Sequence, residues 1–302
     1  MTTPLPAPTP AAAPSSAAAA PAAAAPAADA ALLAGMAAAA EEAGRVLLRA
    51  PRPAPFLTFP EFAAAYRALE APVIAVLREH LDALRPGVPW TEELGTELPA
   101  RGEAWIVDPV DGAVQYLQDL PYFCVSLALI RDGEAVAAVL HAPTRGETYR
   151  AAAGAGATRD GAPIAPAAKQ DLRIAMLANS APPDIASRPA AAELSGRSQA
   201  AVLPHVGAVR NLGPTSWQIA DVAAGRLDAF WQYGQDATNL LPGALIAREA
   251  GAAVTDAAGR PWTPASPSFL AAAPTLRAAL LRLLPGSADP APGRAEQAEQ
   301  AR

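Results

Sequence analysis

Two apolar runs separated by Arg131-Asp132-Gly133 constrain this chain more than any other stretch. Phe123-Cys124-Val125-Ser126-Leu127-Ala128-Leu129-Ile130 lies on one side and Ala135-Val136-Ala137-Ala138-Val139-Leu140 on the other. Asp-Gly supplies the positive-φ residues that a tight turn between right-twisted strands needs, so the pair predicts a β-hairpin. Thr148-Tyr149-Arg150 and a second Asp160-Gly161 extend it into a meander. Helical spacing predicts amphipathic helices over Ala31 to Leu48 and over Ala71 to Leu84, with Pro72 near the start of the second. Further helices are expected over Ser216 to Ala224 and Asn239 to Ala250, and strands over Asp228 to Trp231 and Ala252 to Thr255. Helices interleaved with mixed strands describe a layered α/β protein.

Composition removes several functional classes. The net charge is −6 and there is no basic run, which argues against a partner that is a nucleic-acid polymer. A single cysteine, Cys124, forms no internal disulfide and fits a reducing compartment. No Lys or Arg precedes Arg45, so a secretory n-region is missing, and the Ala runs there are broken by Pro. These features lead to an expectation of a cytoplasmic protein with no membrane partner. Residues 1–28 are Ala, Pro, Ser and Thr with almost nothing to bury, and residues 287–302 are polar or Pro-rich, so both read as disordered tails around a domain at 29–286.

The chemistry concentrates in Trp105-Ile106-Val107-Asp108-Pro109-Val110-Asp111-Gly112-Ala113. An apolar strand end precedes two acids, and Ala113 to Leu117 has the composition to start a helix, so the acids are expected on the turn between strand and helix. Carboxylates there offer hard oxygens to a divalent cation, while the N–H groups of Gly112 and Ala113 face an anion. A phosphate satisfies both. The same Asp-Pro-x-Asp-Gly pattern also serves as a turn with an N-cap, and the residues alone leave both readings open. Glu92-Glu93 and Asp236 lie at two other apolar-to-polar boundaries. His80, His141 and His205 have no spacing that suggests a ligand set, and Cys124 sits in an apolar pattern where cysteine behaves as a small hydrophobe.

Taken together, Thr91-Glu92-Glu93, WIVDPVDG at Trp105 to Gly112, the segments within Arg210 to Trp231, and DATNLLPGALIAREAGAAVTDAAGRPW at Asp236 to Trp262 resemble the inositol monophosphatase family of magnesium-dependent sugar-phosphate phosphatases. The resemblance covers about residues 30 to 285. It implies an α/β layered sandwich of mixed sheets and helices, the sugar-phosphatase fold shared with fructose-1,6-bisphosphatase, with a metal-site half at about 29–165 and a substrate-side half at about 166–286. It implies a homodimer, Mg²⁺ with Mn²⁺ as its substitute, and hydrolysis of a small phosphomonoester by metal-activated water. Carried over residue by residue, Glu92, Asp108, Asp111 and Asp236 are metal ligands with the carbonyl of Val110. Glu92, Asp108 and Asp111 are catalytic, and Gly112, Ala113 and Gln232 face the substrate or its phosphate.

This chain departs from the family pattern at several of these positions. Ala113 stands where the family has Thr or Ser, Tyr66 lies near the place of an expected upstream acid, and Gln235 and Gln232 replace a Trp and a Glu. The departures motivate an alternative in which the fold persists as a metal- or phosphate-ligand-binding or regulatory subunit. A third reading keeps only an α/β binding protein whose acids are structural caps.

Overall fold

The computed structural model describes residues 27–51, 55–91 and 98–286. The expected tails therefore fall outside the described residues, except for Ala27 and Ala28, and so do Glu92 and Glu93. Among the described residues no helix is long and apolar enough to cross a membrane.

The predicted hairpin is the centre of a seven-stranded sheet. Its strands are β1 (Trp90–Thr91), β2 (Glu103–Asp111), β3 (Cys124–Arg131), β4 (Glu134–Ala142), β5 (Glu147–Ala152), β6 (Gly156–Arg159) and β7 (Ala162–Pro163), paired in that order. Asp132 and Gly133 both take positive φ, at 53° and 82°, as the tight turn demands. A second sheet holds β8 (Met176–Asn179), β9 (Ala208–Arg210), β10 (Ala229–Tyr233), β11 (Ala253–Thr255) and β12 (Ser268–Ala272), in the order β11-β12-β10-β8-β9. The helices are α1 (Ala27–Arg49), α2 (Phe59–Leu84), α3 (Ala113–Leu117), α4 (Pro189–Val202), α5 (Thr215–Ala223), α6 (Ala237–Glu249) and α7 (Pro274–Leu283).

Strand side chains alternate between faces, and the alternation sorts the molecule into five layers. Trp105, Val107, Val125, Leu127 and Val139 leave one face of the first sheet to pack on α1 and α2. Ile106, Cys124, Ala128, Leu140 and Tyr149 leave the other face to pack on α5 and α6. Those two helices also cover Phe230, Phe269 and Ala271 of the second sheet. Trp231, Tyr233 and Leu270 on its far face meet Val202 of α4 with Leu276 and Leu280 of α7. The result is the expected layered sandwich, with the α5–α6 pair buried between two sheets.

Two local expectations need correction. The helix expected from Ala71 begins at Phe59, because Thr58 and Glu61 form a reciprocal capping box: Glu61 Oε2 accepts from Thr58 N at 3.1 Å, and Thr58 Oγ1 accepts from Glu61 N at 3.5 Å. Pro72 is inside this helix rather than at its start. Asp108 and Asp111 are not on a turn either; both belong to β2, which runs on to Asp111 through an irregularity.

Candidate active site

That irregularity decides where the acids point. Asp108 lies opposite Ser126 and Asp111 opposite Cys124, so three steps along β2 match two along β3 and one residue is extra. In an unbroken strand, residues three apart face opposite ways. The extra residue, at Pro109-Val110, resets the alternation and turns both carboxylates to the α5–α6 side. Pro109 has no N–H to give a ladder, so a bulge accommodates it where a regular strand would not. Both acids are buried, at 6% and 7% exposure, and Val110 packs on the opposite face.

Each carboxylate is held by a donor. Asp108 Oδ1 accepts from the backbone N–H of Val110 at 2.9 Å. Asp111 Oδ2 accepts from the hydroxyl of Ser216, the second residue of α5, and Cys124 Sγ lies 3.9 Å from the same oxygen. Burial raises the Cys124 thiol well above its usual range, and the negative charges of Asp111 and Asp108 raise it further. Cys124 is therefore a protonated, buried thiol, and the two acids concentrate negative charge on one spot beside it.

Gly112 closes the strand with φ of 94°. A Cβ there would stand 2.6 Å from the carbonyl oxygen of Tyr122 and 3.0 Å from Pro214, so only glycine allows this approach. Ala113 then opens α3, a helix of 5 residues whose start has no side-chain cap. Asp111 does not serve as the cap there.

Asp236 precedes α6 and does not cap it by its side chain. Its Oδ2 accepts from Gln232 Nε2 at 2.8 Å and its Oδ1 from Asn239 Nδ2 at 2.8 Å. Burial pushes its pKa up, while the amides of Gln232 and Asn239 and the charge of Arg188 pull it back. Gln232 is 1% exposed, and its Oε1 is buried without a hydrogen-bond partner among the described residues. The α5–α6 contact relates the two regions: a Cβ on Gly243 of α6 would meet the Ser216 carbonyl at 2.9 Å and Ile219 Cβ at 2.8 Å.

Asp108 and Asp111 are thus brought to one face, and Gly112 and Ala113 follow directly. Glu92 lies outside the described residues. Among the described residues no group of three or more His, Cys, Asp or Glu side chains is placed to hold a metal ion, so Asp236 does not complete such a group with Asp108 and Asp111. Tyr66 is partly buried against the apolar core of α1, α2 and the first sheet. Ser216 and Asn239 escaped the sequence reading. Ser216 follows Pro214-Thr215 at a helix start, a position that by itself suggests only a cap.

Comparison with known proteins places this geometry. The chain is 35% identical over 186 residues to an inositol-1-monophosphatase of Rhizobium meliloti, covering 61% of this chain and 69% of that one. It is 33% identical over 203 residues to an inositol-1-monophosphatase of Mycolicibacterium smegmatis, covering 66% and 72%. Among solved structures, the extragenic suppressor protein suhB of Bartonella henselae superposes with a TM-score of 0.72 at 29% identity over 84% of this chain and 98% of that one. An inositol monophosphatase from Anabaena gives 0.69 at 28% identity, covering 84% and 95%. The sequence model of the inositol monophosphatase family matches residues 65–287, a span that takes in both β2 acids, the glycine behind them and both sheets. This chain belongs to the inositol monophosphatase family.

Proposed function

We propose that the protein is a phosphatase of its family that hydrolyses a small phosphorylated polyol, sugar or nucleotide with the help of Mg²⁺. The observation that carries this reading is the bulge in β2, which aims two buried carboxylates to one side immediately before a positive-φ glycine. The donor set fits the metal: carboxylate oxygens of Asp108 and Asp111 and the carbonyl of Val110 are hard ligands of the kind Mg²⁺ selects. Glu92 and Asp236 are the further ligands in this reading. Bound there, Mg²⁺ lowers the pKa of water and neutralises phosphoryl charge.

The chain's own groups do the rest. Ser216 fixes the rotamer of Asp111, and the Val110 N–H fixes Asp108, so both oxygens are oriented before substrate arrives. The N–H groups of Gly112 and Ala113 receive a phosphoryl oxygen. Glu92 takes the proton from the attacking water, which Ala113 has no hydroxyl to orient. Gln232 holds Asp236 through its amide, at the substrate side of the site in this reading. A homodimer, Mn²⁺ as a substitute metal and a cytoplasmic location belong to the same reading.

A second reading, a binding or regulatory subunit with weakened turnover, is favoured by one observation. Each oxygen of Asp236 already accepts an amide hydrogen bond, from Gln232 and from Asn239, and Asp236 is not in a group of three or more potential metal-ligand side chains among the described residues. Phosphate release from a panel of phosphomonoesters, with and without Mg²⁺, decides between the two. Mg²⁺-dependent release from at least one ester is expected. Tight binding of esters with no release from any would establish the second reading instead.

A further inference from the structure

Arg145 stands on the turn after β4, where its N–H and that of Gly146 both bond the Ala142 carbonyl, at 3.1 and 3.0 Å. The side chain is exposed, and it makes no hydrogen bond or ion pair with any described residue. Aromatic faces hold it instead. Its guanidinium carbon lies 5.4 Å from the Trp217 ring centroid and 5.9 Å from that of Tyr122. Such contacts position a guanidinium without neutralising it, so its charge and donors stay available.

Both supporting rings are built into the site. Trp217 follows Ser216, the residue that donates to Asp111. Tyr122 contributes the carbonyl that Gly112 packs against, and Thr144, next to Arg145, donates from Oγ1 to the Pro121 carbonyl at 2.8 Å. A cation at the rim of an acidic site, seated on aromatic faces, with no ion-paired carboxylate among the described residues and only a longer-range attraction to the buried Asp221, is placed to meet an anion that the substrate brings. The transferred phosphoryl group already has the N–H groups of Gly112 and Ala113 in the proposed function, on which this inference rests.

We propose that Arg145 is a specificity-determining contact for a second oxyanion, a phosphate or carboxylate, carried on the substrate beyond the phosphoryl group that is cleaved. The favoured substrates are therefore bisphosphates or phosphorylated acids rather than simple polyol monophosphates.

The test compares wild type, Arg145→Gln and Arg145→Lys on a hexose bisphosphate, a phosphorylated sugar acid and the matching hexose monophosphate. Losing a charge-assisted contact lowers affinity by about ten- to a hundredfold. The ratio of kcat/KM for a doubly anionic ester to that for the monophosphate should fall by about that factor in Arg145→Gln, through KM, and recover in part in Arg145→Lys. The ester that shows the fall identifies the second anion as phosphate or carboxylate. An unchanged ratio for both doubly anionic esters overturns the inference, since a residue that only packs on Trp217 and Tyr122 affects all three esters alike. Should wild type turn over none of them, the phosphatase reading fails separately. Calorimetry with pyrophosphate and orthophosphate on the same variants then decides: selective weakening of pyrophosphate sustains the role of Arg145, and equal weakening or none refutes it.

Discussion

Asp111 accepts from the hydroxyl of a serine 105 residues further along the chain, a polar contact set within the apolar packing that joins the first sheet to the helix pair between the sheets. The neighbouring Ala113 is the residue whose identity most affects the proposed chemistry. A water-orienting partner typically contributes about a hundred- to ten-thousand-fold in rate. Ala113→Thr is expected to raise kcat by about tenfold or more with little change in KM, because the hydroxyl acts on water and not on substrate; steady-state kinetics would show an unchanged or lower kcat if this account were wrong. His141 gives a second residue-scale prediction. It is buried behind α1, with Nδ1 3.0 Å from Thr148 Oγ1, and it faces Glu41, Arg45 and Asp160. Burial lowers its pKa from 6.5 despite the charges of Glu41 and Asp160. A lowered folded pKa means that the unfolded chain takes up the proton first. The contribution of His141 is therefore complete above pH 6.5 and is lost as pH falls from there through the lowered folded value. Urea midpoints for wild type should decline across that window with a slope of up to about 1.4 kcal/mol per pH unit, and His141→Gln should flatten it. Parallel profiles would exclude His141 as the source.

Among the elements, α2 combines a well-made start with an interior flaw. Its capping box contributes about 1 kcal/mol at the N-terminus, reinforced by a 2.7 Å bond from Leu57 N to Glu61 Oε2. Pro72 then removes an N–H that would have bonded the Ala68 carbonyl, and its ring crowds that turn. Because Pro72 is exposed on the rim of a groove it shares with Leu69 and Tyr116, little packing is lost on replacing it. Pro72→Ala should stabilise the protein by about 1–3 kcal/mol, raising Tm by roughly 2–4 °C per kcal/mol for a chain of this size. A lower Tm would mean that the ring's rigidity matters more than the missing bond.

For the whole molecule, the site is a place where strands, helices and loops of separate chain segments must all be folded at once. A ligand that binds only the folded form stabilises it by mass action, by about 2.7 kcal/mol at a concentration a hundred times its Kd. Mg²⁺ added to chelator-treated protein should therefore raise the thermal midpoint, and Asp108→Asn should remove most of that rise while still unfolding cooperatively. An equal Mg²⁺ shift in Asp108→Asn would place the metal elsewhere.

The fold class, the hairpin at Asp132-Gly133 and the candidate acid pair Asp108 and Asp111 were legible in the linear sequence, because each depends on neighbours a few residues away: an apolar run, a turn dipeptide, a helix start. The start of α2 was equally local, since Thr58-Phe59-Pro60-Glu61 carries the capping pattern, whereas Pro72, read as a first-turn proline, lies inside the helix. Other features belong to the tertiary structure alone. Only strand pairing shows that one extra residue puts both acids on the same face, since the count that matters is taken against β3. Only packing seats Arg145 against Trp217 and Tyr122 and sets Gln232 and Asn239 on Asp236. Local pattern specifies which elements form and which residues carry charge. What those charges face is decided where distant segments meet, because direction and distance across a core depend on register and layer packing rather than on spacing along the chain.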